Sequence, residues 1–236
     1  MKWTTTQWAV GGVFAVSGAM AMVYEMGWFR MLGLTMGPSV YAFSAMLGMY
    51  LLGIGAGSAL AAKWAQNTAL GGVRAMAVLE GLLGFVGLAG MYFFNGLPVL
   101  NWKIFVSASG TFGAQGYAVA HMGVAAAVVL LPCLIMGALF PVAVRALKEA
   151  GGAMAPETNV GRLYVMNTAG GIAGSLAAGF YLAPTVGMWN MLIGASLVSA
   201  ALGAALWLIG AAGEKWSAKA GFAAATVALA AGLAWG

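Results

Sequence analysis

The chain has 236 residues, 63% of them hydrophobic and only 6% charged, with ten Lys and Arg against five Asp and Glu. No polar stretch is long enough to bury a soluble core, which excludes a separate water-soluble domain within these residues and leaves a single domain over 1–236. One cysteine, Cys133, and one histidine, His121, exclude an internal disulfide and a Cys/His zinc set.

Apolar stretches of about 20 residues follow one another at 8–29, 41–62, 75–97, 119–144, 163–182, 188–210 and 221–235. Each is long enough to cross a bilayer as a helix. Open strands would leave backbone groups unsatisfied in lipid, and the segments lack the alternation of a membrane barrel. The fold class predicted is all-α, a polytopic transmembrane helical bundle of about seven spans, with the longest polar connection, 98–116, as a loop.

The first span opens after Lys2 and contains Ala19-Met20-Ala21, a triplet with the character of a signal-peptide cleavage site. Apolar sequence runs on through Trp28, which favours an uncleaved span. Late in this span lie Tyr24 and Glu25. An ionised side chain at the centre of a spanning helix costs about 2.5–3.5 kcal/mol on insertion scales, so such a group calls for a partner. Arg30 is the nearest cation in sequence, but five positions along a helix put it about 140° round from Glu25. A structural ion pair and a cation or proton site both remain open for Glu25.

In the second span Gly48, Gly53, Gly55 and Gly57 mark a close helix contact rather than a phosphate loop, since no strand precedes them. The third span carries Glu80 soon after Arg74. His121 opens the fourth, where a lone histidine reads as a hydrogen-bonded interface residue, and Pro132 with Pro141 predicts a kink. Arg162, Tyr164 and Asn167 open the fifth at a depth similar to Glu80, so these four are expected to form a polar cluster. Gly170, Gly171, Gly174 and Gly179 follow as a second small-residue face. The 16 methionines suit irregular gaps in a membrane bundle better than Cu(I) binding, so no metal is predicted.

Basic residues fall unevenly along this pattern. Lys2, Lys63, Arg74, Arg145, Lys148, Arg162, Lys215 and Lys219 gather on one side, against Arg30 and Lys103 on the other. That bias places the amino terminus in the cytoplasm and, after seven spans, the carboxyl terminus outside the inner (plasma) membrane. The positive charge serves orientation and anionic headgroups, with no nucleic-acid partner implied. No Ser-His-acid arrangement or phosphate loop is present, and Cys133 lies in an apolar run, so no catalytic residue and no cofactor is assigned.

Several blocks resemble a known family. Ser17-Gly18-Ala19, Tyr24-Glu25, Trp28, Arg30, Leu32-Gly33 and Ser39-Val40-Tyr41-Ala42-Phe43-Ser44 look like the opening of membrane-fused spermidine synthase-like proteins, as does Leu52-Gly53-Ile54-Gly55-Ala56-Gly57-Ser58. Leu131-Pro132, Met136-Gly137-Ala138 and Phe140-Pro141 resemble the next block, and Gly161-Arg162-Leu163-Tyr164, Asn167-Thr168, Gly170, Gly179-Phe180 and Pro184 the one after. In that family the membrane region usually precedes a soluble aminopropyltransferase-like domain that extends a diamine. The motifs of that soluble domain have no matching positions in this chain, so the resemblance implies a membrane part that is not itself an enzyme. Its expected role is that of anchor or structural subunit in a larger assembly, with the lipid bilayer and another subunit or a soluble synthase-like domain as partners. The alternative is a transporter or binding protein for polyamines or other organic cations. Its candidate binding residues are Glu25, Arg30, Tyr24, Glu80, Arg162, Tyr164 and Asn167.

Overall fold

A computed structural model of the chain describes residues 3–37, 40–67, 69–111, 113–151 and 156–210, with isolated positions between 221 and 232. These residues are helical almost throughout. The elements are α1 (Thr5–Met36), α2 (Val40–Asn67), α3 (Gly72–Thr111), α4 (Gly113–Ala125), a π turn (Ala126–Leu130), α5 (Leu131–Glu149), α6 (Pro156–Leu176), a second π turn (Ala177–Leu182) and α7 (Ala183–Gly210). Five helical segments are long and apolar enough to cross a membrane: Thr5–Met36, Ala42–Ala65, Gly72–Ile104, Val119–Glu149 and Glu157–Gly210.

Seven separate spans are therefore not what the structure presents. The expected fifth and sixth spans, 163–182 and 188–210, belong to one 54-residue helical segment. Its one break is Gly187, whose φ of 80° and ψ of 163° lie outside helical space and favour a residue without a Cβ. The expected seventh span, 221–235, falls largely outside the described residues. The predicted loop at 98–116 is also corrected, because α3 continues through Pro98 to Thr111 and α4 begins at Gly113. In the fourth span the distortion is the π turn directly before Pro132, while α5 runs on through Pro141. A widened turn there relieves the clash between a proline ring and the preceding turn's carbonyl.

Glycines set which helices meet. A Cβ added at Gly53 would lie 2.6 Å from Cys133 Cβ, and one at Gly57 would strike the Leu134 carbonyl, so α2 and α5 run side by side in the same direction. Gly170 and Gly174 press in the same way on Ala15 and Ala19, making α6 parallel to α1. On α3, Gly84 meets Ser196 and Ala200 of α7, and Gly81 meets Gly203, which sets these two helices antiparallel. Gly27 of α1 meets Leu192 of α7, again antiparallel. The limbs on either side of Gly187 thus run in opposite directions against α1.

Both ends of the bundle are tied by polar contacts. At the amino-terminal end Trp3 Nε1 donates to Asn159 Oδ1 (2.8 Å), Gln7 Nε2 to the Gly151 carbonyl (2.5 Å) and the Gly72 amide to Glu149 Oε2 (2.5 Å). Arg145 donates to the Ala65 carbonyl, and Arg74 Nε to the Gly210 carbonyl (3.2 Å). At the opposite end Asn101 Nδ2 donates to the Thr35 carbonyl (2.5 Å), and buried His121 Nε2 to the Met36 carbonyl (3.2 Å). Lys63, Arg74, Arg145, Lys148 and Arg162 all fall at the first end, while Arg30 and Lys103 lie toward the second. Lys2, Lys215 and Lys219 lie outside the described residues.

Candidate functional site

Glu80 is completely buried, at 0% exposure, two turns into α3. Neither of its carboxyl oxygens has a hydrogen-bond partner among the described residues. Ser17 of α1 faces it. Above this level the Tyr24 hydroxyl donates to Ser196 Oγ (3.0 Å), which in turn donates to the Leu192 carbonyl (2.9 Å). Tyr24 also stacks on Trp28 at 5.0 Å between ring centroids, and buried Ser199 lies close by. Glycine makes this junction possible, because a side chain at Gly87 would overlap both Tyr24 and Ser196 (2.8 and 2.5 Å). A polar column of Ser17, Glu80, Tyr24, Ser196 and Ser199 therefore runs along the line where α1, α3 and α7 meet.

Glu25 lies on another face of α1. It is half-buried and faces the Tyr50 hydroxyl of α2, near Cys133 of α5. Ser17 is eight residues earlier on the same helix, an axial offset of about 12 Å. Glu25 thus lies about 80° round α1 from Ser17 and toward α2, while Glu80 reaches α1 from α3.

Between the α1–α6 pair and the α2–α5 pair runs a cleft of about 600 Å³. Apolar side chains such as Phe14, Met22, Ile54 and Phe140 form much of its wall, and Phe14 meets Phe140 at 5.9 Å across one part of it. Ser17, Tyr50, Ser58, Tyr164, Asn167, Thr168 and Ser175 supply polar groups along its length. Two of these hydroxyls carry a special relation. Ser17 both lines the cleft and faces Glu80, and Tyr50 both lines it and faces Glu25. An apolar pocket with a few convergent polar groups suits a small ligand. Carboxylates behind its wall bias it toward a positive one.

Not every predicted site residue joins this cleft. Tyr164 and Asn167 do, and the Asn167 side chain is seated directly on Gly18, where a Cβ would fall 2.5 Å from Oδ1. The expected cluster of Arg162 with Glu80 does not form. Arg162 is exposed, its guanidinium 5.6 Å from the Trp3 ring centroid, because the amino-terminal segment folds against the start of α6. Arg74 likewise stacks on Trp207 at 5.5 Å, away from Glu80. Arg30 is exposed and lines a different cavity of about 730 Å³ with Phe29, Leu32, Phe43, Met46 and Met188. Among the described residues that lining is apolar apart from Arg30, with no acidic side chain to hold a cation. Glu25 and Arg30 do not meet because α1 continues as regular helix to Met36.

Ser17, Tyr50 and Ser196 are the site residues that sequence reasoning passed over as site residues. A tyrosine inside a glycine-rich apolar span was the visible signal for Tyr50, and the seven-residue spacing of Ser17 and Tyr24 put both on one helical face. Among the described residues no group of three or more His, Cys, Asp or Glu is placed to hold a metal ion. Comparison with protein-family models, with curated proteins and with solved structures finds no match. The likeness to spermidine synthase-like proteins accordingly rests on the sequence blocks alone.

Proposed function

We propose that this is a membrane protein that binds a small organic cation, a protonated amine of the polyamine kind, in the cleft between α1, α2, α5 and α6. The observation that carries this reading is Glu80, a fully buried carboxyl group with no hydrogen-bond partner of normal geometry among the described residues, facing Ser17, whose hydroxyl lines the cleft. An uncompensated charge inside a membrane bundle is expensive and is retained where it meets a partner or serves a pathway. A protonated amine entering the cleft supplies that partner, with Tyr50, Asn167 and Thr168 as further acceptors and Glu25 as a second carboxylate. The sequence resemblance points to the same ligand class, since the soluble domain of spermidine synthase-like proteins works on amines.

On this reading the segment Glu157–Gly210 makes two crossings that turn at Gly187. The end that gathers Lys63, Arg74, Arg145, Lys148 and Arg162 faces the cytoplasm of the plasma membrane, in keeping with the positive-inside rule.

The test is equilibrium binding of radiolabelled spermidine to the purified protein in lipid nanodiscs. Saturable binding is expected, weakened at least tenfold by Glu80→Gln and by Glu25→Gln, with both variants still monodisperse. Equal binding by wild type and both variants sinks the proposal. No binding by correctly folded wild type leaves the anchor or structural-subunit role in its place.

A further inference from the structure

The helices of this chain are related in pairs that the sequence does not announce. α1 and α5 run in opposite directions, as do α2 and α6, and α3 and α7. Their contacts exchange in the same way, since α1 packs on α6 while α5 packs on α2, and α3 packs on α7 itself. The details match in register. Gly53, Gly57 and Ser58 of α2 recur with the same spacing as Gly170, Gly174 and Ser175 of α6. The α2 glycines press on Cys133 and Leu134 of α5, four-residue neighbours Gly170 and Gly174 press on Ala15 and Ala19 of α1, and Asn167 lies on Gly18 as Tyr50 lies by Cys133. A two-fold rotation about an axis lying in the membrane plane, exchanging α1, α2 and α3 with α5, α6 and α7, reproduces these relations.

We infer that α1–α3 and α5–α7 are two three-helix units of inverted topology, and that the cleft lined by α1, α2, α5 and α6 opens to each face of the membrane in turn. The equivalence is the ground for this. In an inverted repeat, whatever arrangement one unit adopts toward one face, the other unit can adopt toward the opposite face, so two exchanged conformations have nearly equal energy. The cleft lies on the axis that exchanges them, lined by the equivalent residues Tyr50 and Asn167. The two parallel pairs, α1–α6 and α2–α5, are each locked by glycine contacts and move as rigid bodies, leaving the cleft as the place where they slide. Translocation thus goes beyond the binding role proposed above and rests on it only for the identity of the cargo.

Electron–electron resonance distances between nitroxide labels test this without any ligand. In a Cys133→Ala background, one pair is placed at Leu60→Cys and Val165→Cys, on exposed positions (66% and 65%) near the amino-terminal end of the cleft. The other is placed at Leu51→Cys and Leu176→Cys (59% and 54% exposed), beside Tyr50 and Ser175 nearer the opposite face. In nanodiscs each pair should give two distances, and the population that is long at one mouth should be short at the other. Added spermidine should shift the two populations in opposite senses. Two populations that ignore spermidine support the alternation and count against an amine cargo. A single narrow distance at both pairs, in a protein that still binds spermidine, overturns the alternation and leaves the binding site standing.

Discussion

Glu80 concentrates the tension in this molecule. Its carboxyl group is buried with no hydrogen-bond partner of normal geometry among the described residues, an arrangement that costs about 1–3 kcal/mol or more when left uncompensated. Replacing it with leucine should therefore raise the thermal midpoint of the ligand-free protein while abolishing amine binding, a trade of function for stability that differential scanning fluorimetry and a binding assay resolve together. A fall in the midpoint would mean that Glu80 holds the fold. Tyr24→Phe removes a buried hydroxyl that donates to Ser196 at 3.0 Å and should cost about 1 kcal/mol of stability. Tyr50→Phe strips a cleft hydroxyl that faces Glu25 and should weaken binding several-fold at little cost to the fold, read by the same pair of assays. How much of this was legible in sequence differs residue by residue. Glu25 and Glu80 stood out because ionisable groups are rare in apolar spans. Their neighbours did not, since Ser17 and Tyr50 reach them from other helices and only tertiary contact reveals it. Arg162 pointed toward Glu80 by depth alone, whereas its actual neighbour is Trp3, more than 150 positions away in the chain.

The helices owe their neighbours to glycine. In lipid the hydrophobic effect does not drive helices together, so close backbone approach at small residues takes its place. Gly57→Leu and Gly174→Leu should each disrupt one parallel pair, by α2 from α5 and by α6 from α1, because a Cβ at either position meets backbone that cannot yield. Overpacking of this kind costs about 1–3 kcal/mol or more, visible as a lowered midpoint in detergent. Gly55→Ala is the control, since nothing lies within 4 Å of a Cβ there. A midpoint unchanged in all three variants would remove glycine contact as the organising force. Half of each face was readable in advance because glycine is conspicuous at helical spacing: Gly53 and Gly57, and Gly170 and Gly174, make the close contacts, whereas a Cβ at Gly48 or Gly55 would meet nothing within 4 Å and one at Gly171 or Gly179 only ordinary packing. The chain reversal at Gly187 was readable only as a short gap between apolar runs, and the helical course of 98–111 was masked by Pro98 and Asn101. Pro98 is tolerated inside α3, and Asn101 is held by the Thr35 carbonyl rather than by water.

At the scale of the whole molecule, polar contacts divide the bundle into two ends, and the basic residues follow that division. Five described Lys and Arg positions at the amino-terminal end face Arg30 and Lys103 at the other. Cysteines introduced at Lys63 and Lys148 in a Cys133→Ala background should stay unlabelled by an impermeant maleimide in intact cells, and one at Lys103 should be labelled. The reverse pattern would invert the orientation. Charge bias was legible from sequence because it depends only on which connection a residue occupies. The cleft was not, because it arises between two helix pairs whose members come from distant parts of the chain.

Native mass spectrometry of the protein released gently from detergent separates a cation-binding bundle from an anchor. A bundle that carries an amine-containing small molecule, lost in Glu80→Gln, is expected. A bundle without any small molecule, joined to a stoichiometric partner protein and indifferent to Glu80→Gln, would contradict cation binding and make this chain an anchor.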